Sequence, residues 1–177
     1  TNSTGFHDVA IGYQALFSNT SGFRNVAIGF EALFSNTGAN SNTAIGHAAL
    51  RTNTASGNTA FGSEALRSNT SGASNTAIGN IALFSNTTGA QIMALGHSAL
   101  FSNTTAGNNT AIGFAALFSN TTGASNTAIG HNAGRYITDG TTANVTSGTS
   151  VYIGSSTKAL ASGDANEIVI GYNAIGK

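Results

Sequence analysis

Cysteine, proline and tryptophan are absent from this chain, and methionine occurs once. Without cysteine there are no disulfides and no thiolate metal ligands, although that absence does not fix a compartment. Charge is scarce. Six Lys or Arg and six Asp or Glu make up 7% of the 177 residues and cancel, where an ordinary domain carries about a quarter. So small and balanced a set excludes a nucleic-acid partner held by a basic patch and the Glu-, Lys- and Leu-rich pattern of a coiled coil. No apolar run approaches the ~18 residues of a membrane span, so no membrane insertion is expected. Large apolar residues are also few: Leu, Ile, Val and Phe total 37, or 21%, near the level at which chains stay unfolded. Charge repulsion cannot be the cause of disorder here. Such a chain folds only if its apolar residues are placed regularly.

What is present is small and polar. Ser, Thr, Asn, Gly and Ala fill 117 positions. Aligned on Ala-Ile-Gly and its variants, the glycines fall at Gly12, Gly29, Gly46, Gly62, Gly79, Gly96, Gly113 and Gly130, in steps of 17 except for one of 16. Two further variants end at Gly154 and Gly171, 24 and then 17 residues on. A fixed period decides architecture before any local reading. Two residues before each of the first eight glycines stands Ala, from Ala10 to Ala128, and the next residue is large and apolar. Ala stands three after the glycine, from Ala15 to Ala133, and Leu four after it, from Leu16 to Leu117. Ser-Asn-Thr or Thr-Asn-Thr and a Gly- or Ala-rich stretch follow, which is turn chemistry.

A 17-residue unit with Gly beside its main apolar residue is short for a helical hairpin, although Tyr13-Gln14-Ala15-Leu16 alone would tolerate a helix. The pattern predicts an all-β fold: a parallel β-solenoid (β-roll) of about ten 17-residue coils. Each coil carries two short strands, around Thr-Ala-Ile-Gly and Ala-Leu-Phe-Ser, and pairs with the coils above and below. At about 4.8 Å per coil, ten make a rod roughly 48 Å long. The expected core has one Ile and one Leu per layer, with Ala between. Its ladders are Ile11, Ile28, Ile45, Ile78, Ile112 and Ile129 on one side and Leu16, Leu33, Leu50, Leu83, Leu100 and Leu117 on the other. The residue missing before Gly62 belongs in the turn around Ser56-Gly57, because a slip inside a strand would reverse its faces.

Residues 1–130 thus form the regular repeat. Past Gly130 the pattern fails: Gly134 replaces Leu, and a seven-residue excess precedes Gly154. Half the charged residues lie in the last 47 positions. Residues 131–150 read as a lateral loop or altered coil, and 151–177 as closing coils. Thr1 enters in mid-turn and Lys177 stops inside a new unit, as expected of a piece of a longer fibre or a processed product.

The repeated Asn-Thr-Ala-Ile-Gly, with Asn-Val-Ala-Ile-Gly at Asn25–Gly29, resembles the repeat of trimeric autotransporter adhesin heads. It is closer still to collar and shaft repeats of phage-type tail-fibre proteins. In those fibres such repeats commonly precede an endosialidase-type intramolecular chaperone, and Asn166-Glu167-Ile168-Val169-Ile170-Gly171 is similar to the segment leading into it. The resemblance implies a left-handed roll assembled as a homotrimer, located in the virion or at an extracellular surface. Its function would be that of a structural fibre segment that spaces or presents a host-receptor-binding part. The implied partners are host cell-surface glycans or other fibre proteins. The Phe17, Phe34, Phe84, Phe101 and Phe118 column gives each chain a second apolar ladder.

Little else suggests chemistry. His47, His97 and His131 share the column after the glycine with Tyr13, Phe30 and Phe114. Three copies of one His could meet on a trimer axis around an ion, but stacked amphipathic rings are the simpler reading. No carboxylate recurs beside a His or Ser as a catalytic pair would require, so neither an enzyme nor a cofactor is expected. Sequons at Asn19, Asn69, Asn86, Asn103, Asn120 and Asn144 arise from the repeated turn and read as amide ladders. Glycan contact, if this segment makes any, falls to the irregular part: Tyr136, Asp139, Asn144 and Tyr152. The alternative function is an ice-binding β-solenoid using the Thr20, Thr37, Thr54, Thr70, Thr87, Thr104 and Thr121 column with its Asn neighbours.

Overall fold

The computed structural model describes residues 6–177; the first five residues of the repeat region lie outside the described part. Each coil contributes one three-residue strand: β1 (Val9–Ile11), β2 (Val26–Ile28), β3 (Thr43–Ile45), β4 (Thr59–Phe61), β5 (Thr76–Ile78), β6 (Met93–Leu95), β7 (Thr110–Ile112), β8 (Thr127–Ile129), β9 (Val151–Ile153) and β10 (Ile168–Ile170). They form one parallel sheet in the order β1 to β10. Equivalent residues pair throughout, Ala27 with Ala44 and Ala77 with Ala94 among them. The chain is therefore an all-β parallel β-solenoid of ten coils, with no helix among the described residues. Among the described residues no helix is long and apolar enough to cross a membrane.

The core differs from the expected one in its first ladder. Ala27, Ala44, Ala60, Ala77, Ala94, Ala111 and Ala128, at the centres of their strands, are fully buried. Side chains alternate across a strand, so an inward central residue turns its neighbours outward. The Ile column is accordingly a surface column: Ile11, Ile78 and Ile129 are exposed, and Ile28, Ile45 and Ile112 are half-buried. The Leu column is interior, with Leu16, Leu33, Leu50, Leu83, Leu100 and Leu117 all buried alongside Leu66. A second Ala row, Ala32 to Ala133, completes the layer. In the regular repeat the interior thus holds two Ala and one Leu per coil, too thin for an Ile as well.

The second strand is also replaced. The arm after the glycine is a run of turns in which left-handed residues alternate with others. Leu16, Leu33, Leu50, Leu66, Leu83, Leu100 and Leu117 have φ of 49–54°, and the residues two before them, among them Gln14, Glu31, Ala48 and Ile81, have φ of 50–58°. Such φ values cost an L-residue on the order of 1 kcal/mol each. The arm is held by bonds to both neighbouring coils: the Leu33 N–H donates to Ala49 O of the next at 3.0 Å and the Glu31 N–H to Tyr13 O of the one before at 2.9 Å. The glycine that opens the arm has φ near +130°, and at Gly29 a Cβ would stand 2.5 Å from the Gly46 carbonyl oxygen.

Two buried asparagine ladders line the remaining side. In the first, the amides of Asn36, Asn69, Asn86, Asn103 and Asn120 each donate to the Asn one coil back and to the carbonyl three residues on. Asn86 Nδ2 reaches Asn69 Oδ1 at 2.8 Å and Gly89 O at 2.9 Å. In the second, each side-chain oxygen accepts the backbone N–H of the equivalent residue one coil on, as Asn58 Oδ1 does from Asn75 at 2.9 Å. Except at Asn42, its amide donates to a carbonyl of that next coil, Asn58 to Gly72 O at 2.9 Å. Buried backbone groups that lie outside the strands thereby gain partners.

The short coil keeps strand register, Thr43 with Thr59 and Ala44 with Ala60. Its deletion lies between Asn53 and Asn58, five residues apart where Asn36 and Asn42 are six. In the long coil, Tyr136 and Ala143 form an antiparallel bridge and the Ile137 N–H donates to Thr142 O at 3.0 Å. The excess within 131–150 is therefore a small hairpin, and the coil resumes the Asn-ladder position at Asn144, 24 residues after Asn120.

Candidate functional site

The surface is organised in columns. The first and third residues of every strand face outward, and all twenty are uncharged: Val, Thr, Met or Ile in one row, Ile, Phe or Leu in the other. Several are well exposed, including Ile11 at 59%, Phe61 at 52% and Ile170 at 65%. Around the glycine corner, Tyr13, Phe30 and His47 stack at 5.4 Å, and His97, Phe114 and His131 at 5.2 and 5.3 Å. The three His are thus members of ring stacks. Among the described residues, no three His, Cys, Asp or Glu side chains gather as metal ligands.

A second column runs five residues after the glycine: Phe17, Phe34, Arg51, Arg67, Phe84, Phe101, Phe118 and Arg135. Its phenyl rings stack 5.1–5.3 Å apart. Each Phe–Arg junction is a cation–π contact, with Arg51 5.2 Å from Phe34, Arg67 5.6 Å from Phe84 and Arg135 4.4 Å from Phe118. Arg51 also binds the Glu31 carboxylate at 2.5 Å.

The four residues expected to offer glycan contact do not form one surface. Asp139 is exposed at the hairpin tip, where it accepts the backbone N–H groups of Thr141 and Thr142 at 2.8 and 2.7 Å and the Thr142 hydroxyl at 2.5 Å. These bonds, the Thr142 hydroxyl foremost, lower its carboxyl to about 2. Tyr136 is half-buried with the Arg135 guanidinium over its ring at 4.9 Å. Asn144 and Tyr152 are buried and cannot touch a glycan. Asn144 stands at the first ladder's position but donates to Gly134 O at 3.2 Å.

Tyr152 takes the central-strand place held by Ala in the first eight coils and fills the space left by the missing Leu. A Cβ on Gly134 would lie 2.7 Å from the Tyr152 ring. Its hydroxyl donates to Glu167 Oε2 at 2.9 Å, and Glu167 Oε1 accepts the Leu160 N–H at 2.9 Å. Burial, aided by the Glu167 charge, pushes the Tyr152 phenol up to about 12. The sequence signal for this exchange was a pair of anomalies, Gly in the Leu column and Tyr in the Ala column one coil later.

The sequon asparagines Asn19, Asn69, Asn86, Asn103 and Asn120 are all buried ladder members. The hydroxyls of the turn Thr column are also engaged: Thr20, Thr70 and Thr87 donate to the next Thr carbonyl at 3.0, 2.9 and 3.0 Å.

Fold and surface together define a parallel β-solenoid repeat protein stabilised by asparagine ladders. No family model, curated protein or solved structure matches the chain.

Proposed function

We propose that this solenoid is a structural segment of a homotrimeric fibre, of the phage tail-fibre or surface-adhesin kind, that spaces or presents a host-receptor-binding part. The observation that carries the reading is the outer sheet face, an uninterrupted field of twenty uncharged side chains along ten strands. Fifteen of the twenty are apolar and five are Thr, and a face this long with an unbroken row of Ile, Phe or Leu favours burial against a partner. Its ridges repeat at the strand spacing, about 4.8 Å, so the partner that fits it is a chain with the same repeat. The Val-Ala-Ile and Thr-Ala-Ile strands then face the trimer axis, and the left-handed coil that the resemblance implies belongs to the same proposal. So do the virion or extracellular location and the absence of catalysis.

Contact with host glycan or other fibre proteins falls, in this reading, to the exposed hairpin around Asp139 and to the half-exposed Phe–Arg column. The alternative, ice binding through the turn Thr column, is less well supported, because those hydroxyls donate to carbonyls of the neighbouring coil. Light scattering on the eluting protein tests the proposal. A trimer is expected, and Ile112→Glu should reduce it to monomer; a monodisperse wild-type monomer refutes the reading. Thermal hysteresis is expected to be nil.

A further inference from the structure

Four buried side-chain atoms lack hydrogen-bond partners among the described residues: Asn36 Oδ1, Asn42 Nδ2, Arg135 Nε and Asn144 Oδ1. Arg135 and Asn144 belong to the 24-residue coil, whereas Asn36 and Asn42 lie directly before the 16-residue one. Neither of the latter amides can be turned round. Asn36 Nδ2 is fixed by Asn19 Oδ1 at 3.2 Å and Ala39 O at 3.1 Å. Asn42 Oδ1 is fixed by the Asn58 N–H at 2.9 Å. Both side chains are fully buried.

The counterparts of both atoms bond into the turn of the next coil, which here is the shortened one. In a regular coil the counterpart of Asn36 Oδ1 accepts from the Asn one coil on, as Asn69 Oδ1 does from Asn86. The counterpart of Asn42 Nδ2 donates to a carbonyl in that coil's turn, as Asn75 does to Gly89 O at 2.9 Å. With one residue missing between Asn53 and Asn58, Asn53 Nδ2 is drawn onto Ala55 O at 2.6 Å and no longer meets Asn36. The Ala55 carbonyl, which stands where Gly72 and Gly89 stand in regular coils, takes Asn53 and Asn58 and leaves Asn42 without an acceptor.

In a regular coil the two counterparts converge, since Asn86 Nδ2 donates to Asn69 Oδ1 and shares the Gly89 carbonyl with Asn75 Nδ2; an acceptor and a donor stranded at that place select their ligand. It must donate to an amide oxygen, accept from an amide nitrogen and fit between stacked coils. A metal cation cannot serve the N–H, nor an anion the oxygen; water serves both. We propose that the shortened turn holds one buried water molecule, bonded to Asn36 Oδ1 and Asn42 Nδ2, which completes both ladders across the coil where the repeat loses a residue.

A high-resolution crystal structure of the chain tests this. One ordered water is expected at hydrogen-bond distance, roughly 2.7–3.2 Å, from both atoms. Absence of that water, or protein partners on both atoms, overturns the proposal. A companion chain in which the sequence 54–57 (Thr-Ala-Ser-Gly) is replaced by that of 70–74 (Thr-Ser-Gly-Ala-Ser) restores the 17-residue period. It should hold one fewer long-lived water by oxygen-17 relaxation dispersion; the same count in both chains overturns the proposal. Should the lengthened chain not fold, the wild-type crystal structure decides alone.

Discussion

Asn75 offers a direct measure of what one ladder amide contributes. It is fully buried; its Oδ1 accepts the Ile92 N–H at 3.0 Å and its Nδ2 donates to Gly89 O at 2.9 Å. Asn75→Ala removes both bonds. Gly89 O keeps Asn86 Nδ2, so its loss is one bond, about 1 kcal/mol. The Ile92 N–H has no second acceptor and stays buried without a partner, which costs roughly 1–3 kcal/mol. The expected destabilisation is therefore about 2–4 kcal/mol, a large share of the ~5–15 kcal/mol that holds an ordinary domain together.

Asn75→Ser should recover about 1 kcal/mol of this. Ser150 occupies the same ladder and its hydroxyl oxygen accepts the Glu167 N–H at 3.2 Å. Asn75→Asp should be worse than Ala at neutral pH, because a carboxylate oxygen would then face the Gly89 carbonyl. Asp8 is accommodated at its ladder position because donors meet it, the Asn25 N–H at 2.8 Å and Asn19 Nδ2 at 2.9 Å. Urea melts give the ranking, and native-state hydrogen exchange at the Ile92 amide gives the local cause. An alanine variant within about 0.5 kcal/mol of wild type, the span of ordinary surface substitutions, with the Ile92 amide still protected, would refute the reasoning.

Three further outcomes follow from the same geometry. Gly29→Ala should cost about 3 kcal/mol or more, since its φ of +132° is strained for alanine and the new Cβ would press on the Gly46 carbonyl; thermal denaturation reads this. Ile81→Asn should stabilise by up to about 1 kcal/mol, because a β-branched residue sits there at φ 50° and Asn132 holds the equivalent place at φ 54°; an unchanged or lower melting temperature contradicts that. Tyr152 has its phenol raised from the usual 10 to about 12 by burial and Glu167. Its folded-state preference for the neutral form is complete below pH 10 and fades as pH rises towards about 12. Alkaline melts should therefore fall across that window in wild type and more shallowly in Tyr152→Phe.

Part of the candidate surface was legible from residues alone. The turn asparagines were readable as ladders because each recurs at one place in the unit, and the missing residue was assignable to the Ser56-Gly57 turn because a strand slip would have reversed Ala60 and Phe61. The placement of Asn144 and Tyr152 was not readable. Both stand in the irregular stretch, where exposure was inferred from loss of period, yet the coil path recovers there and buries them.

The alignment of glycines by itself determined the period, the number of coils and the parallel register, since a repeat that stacks on itself can pair only like with like. Which side of the strand lies inside was decided by the tertiary structure. Hydrophobicity favoured Ile, but the narrow gap opposite the Leu arm takes Ala, and a larger residue enters that column only past Gly134, as Tyr152 and Val169; the strictness of the Ala column was the trace of that constraint. The left-handed backbone at Leu and Ile81 was equally a tertiary matter: those residues have no local preference for it, and only the bonds to neighbouring coils offset its cost.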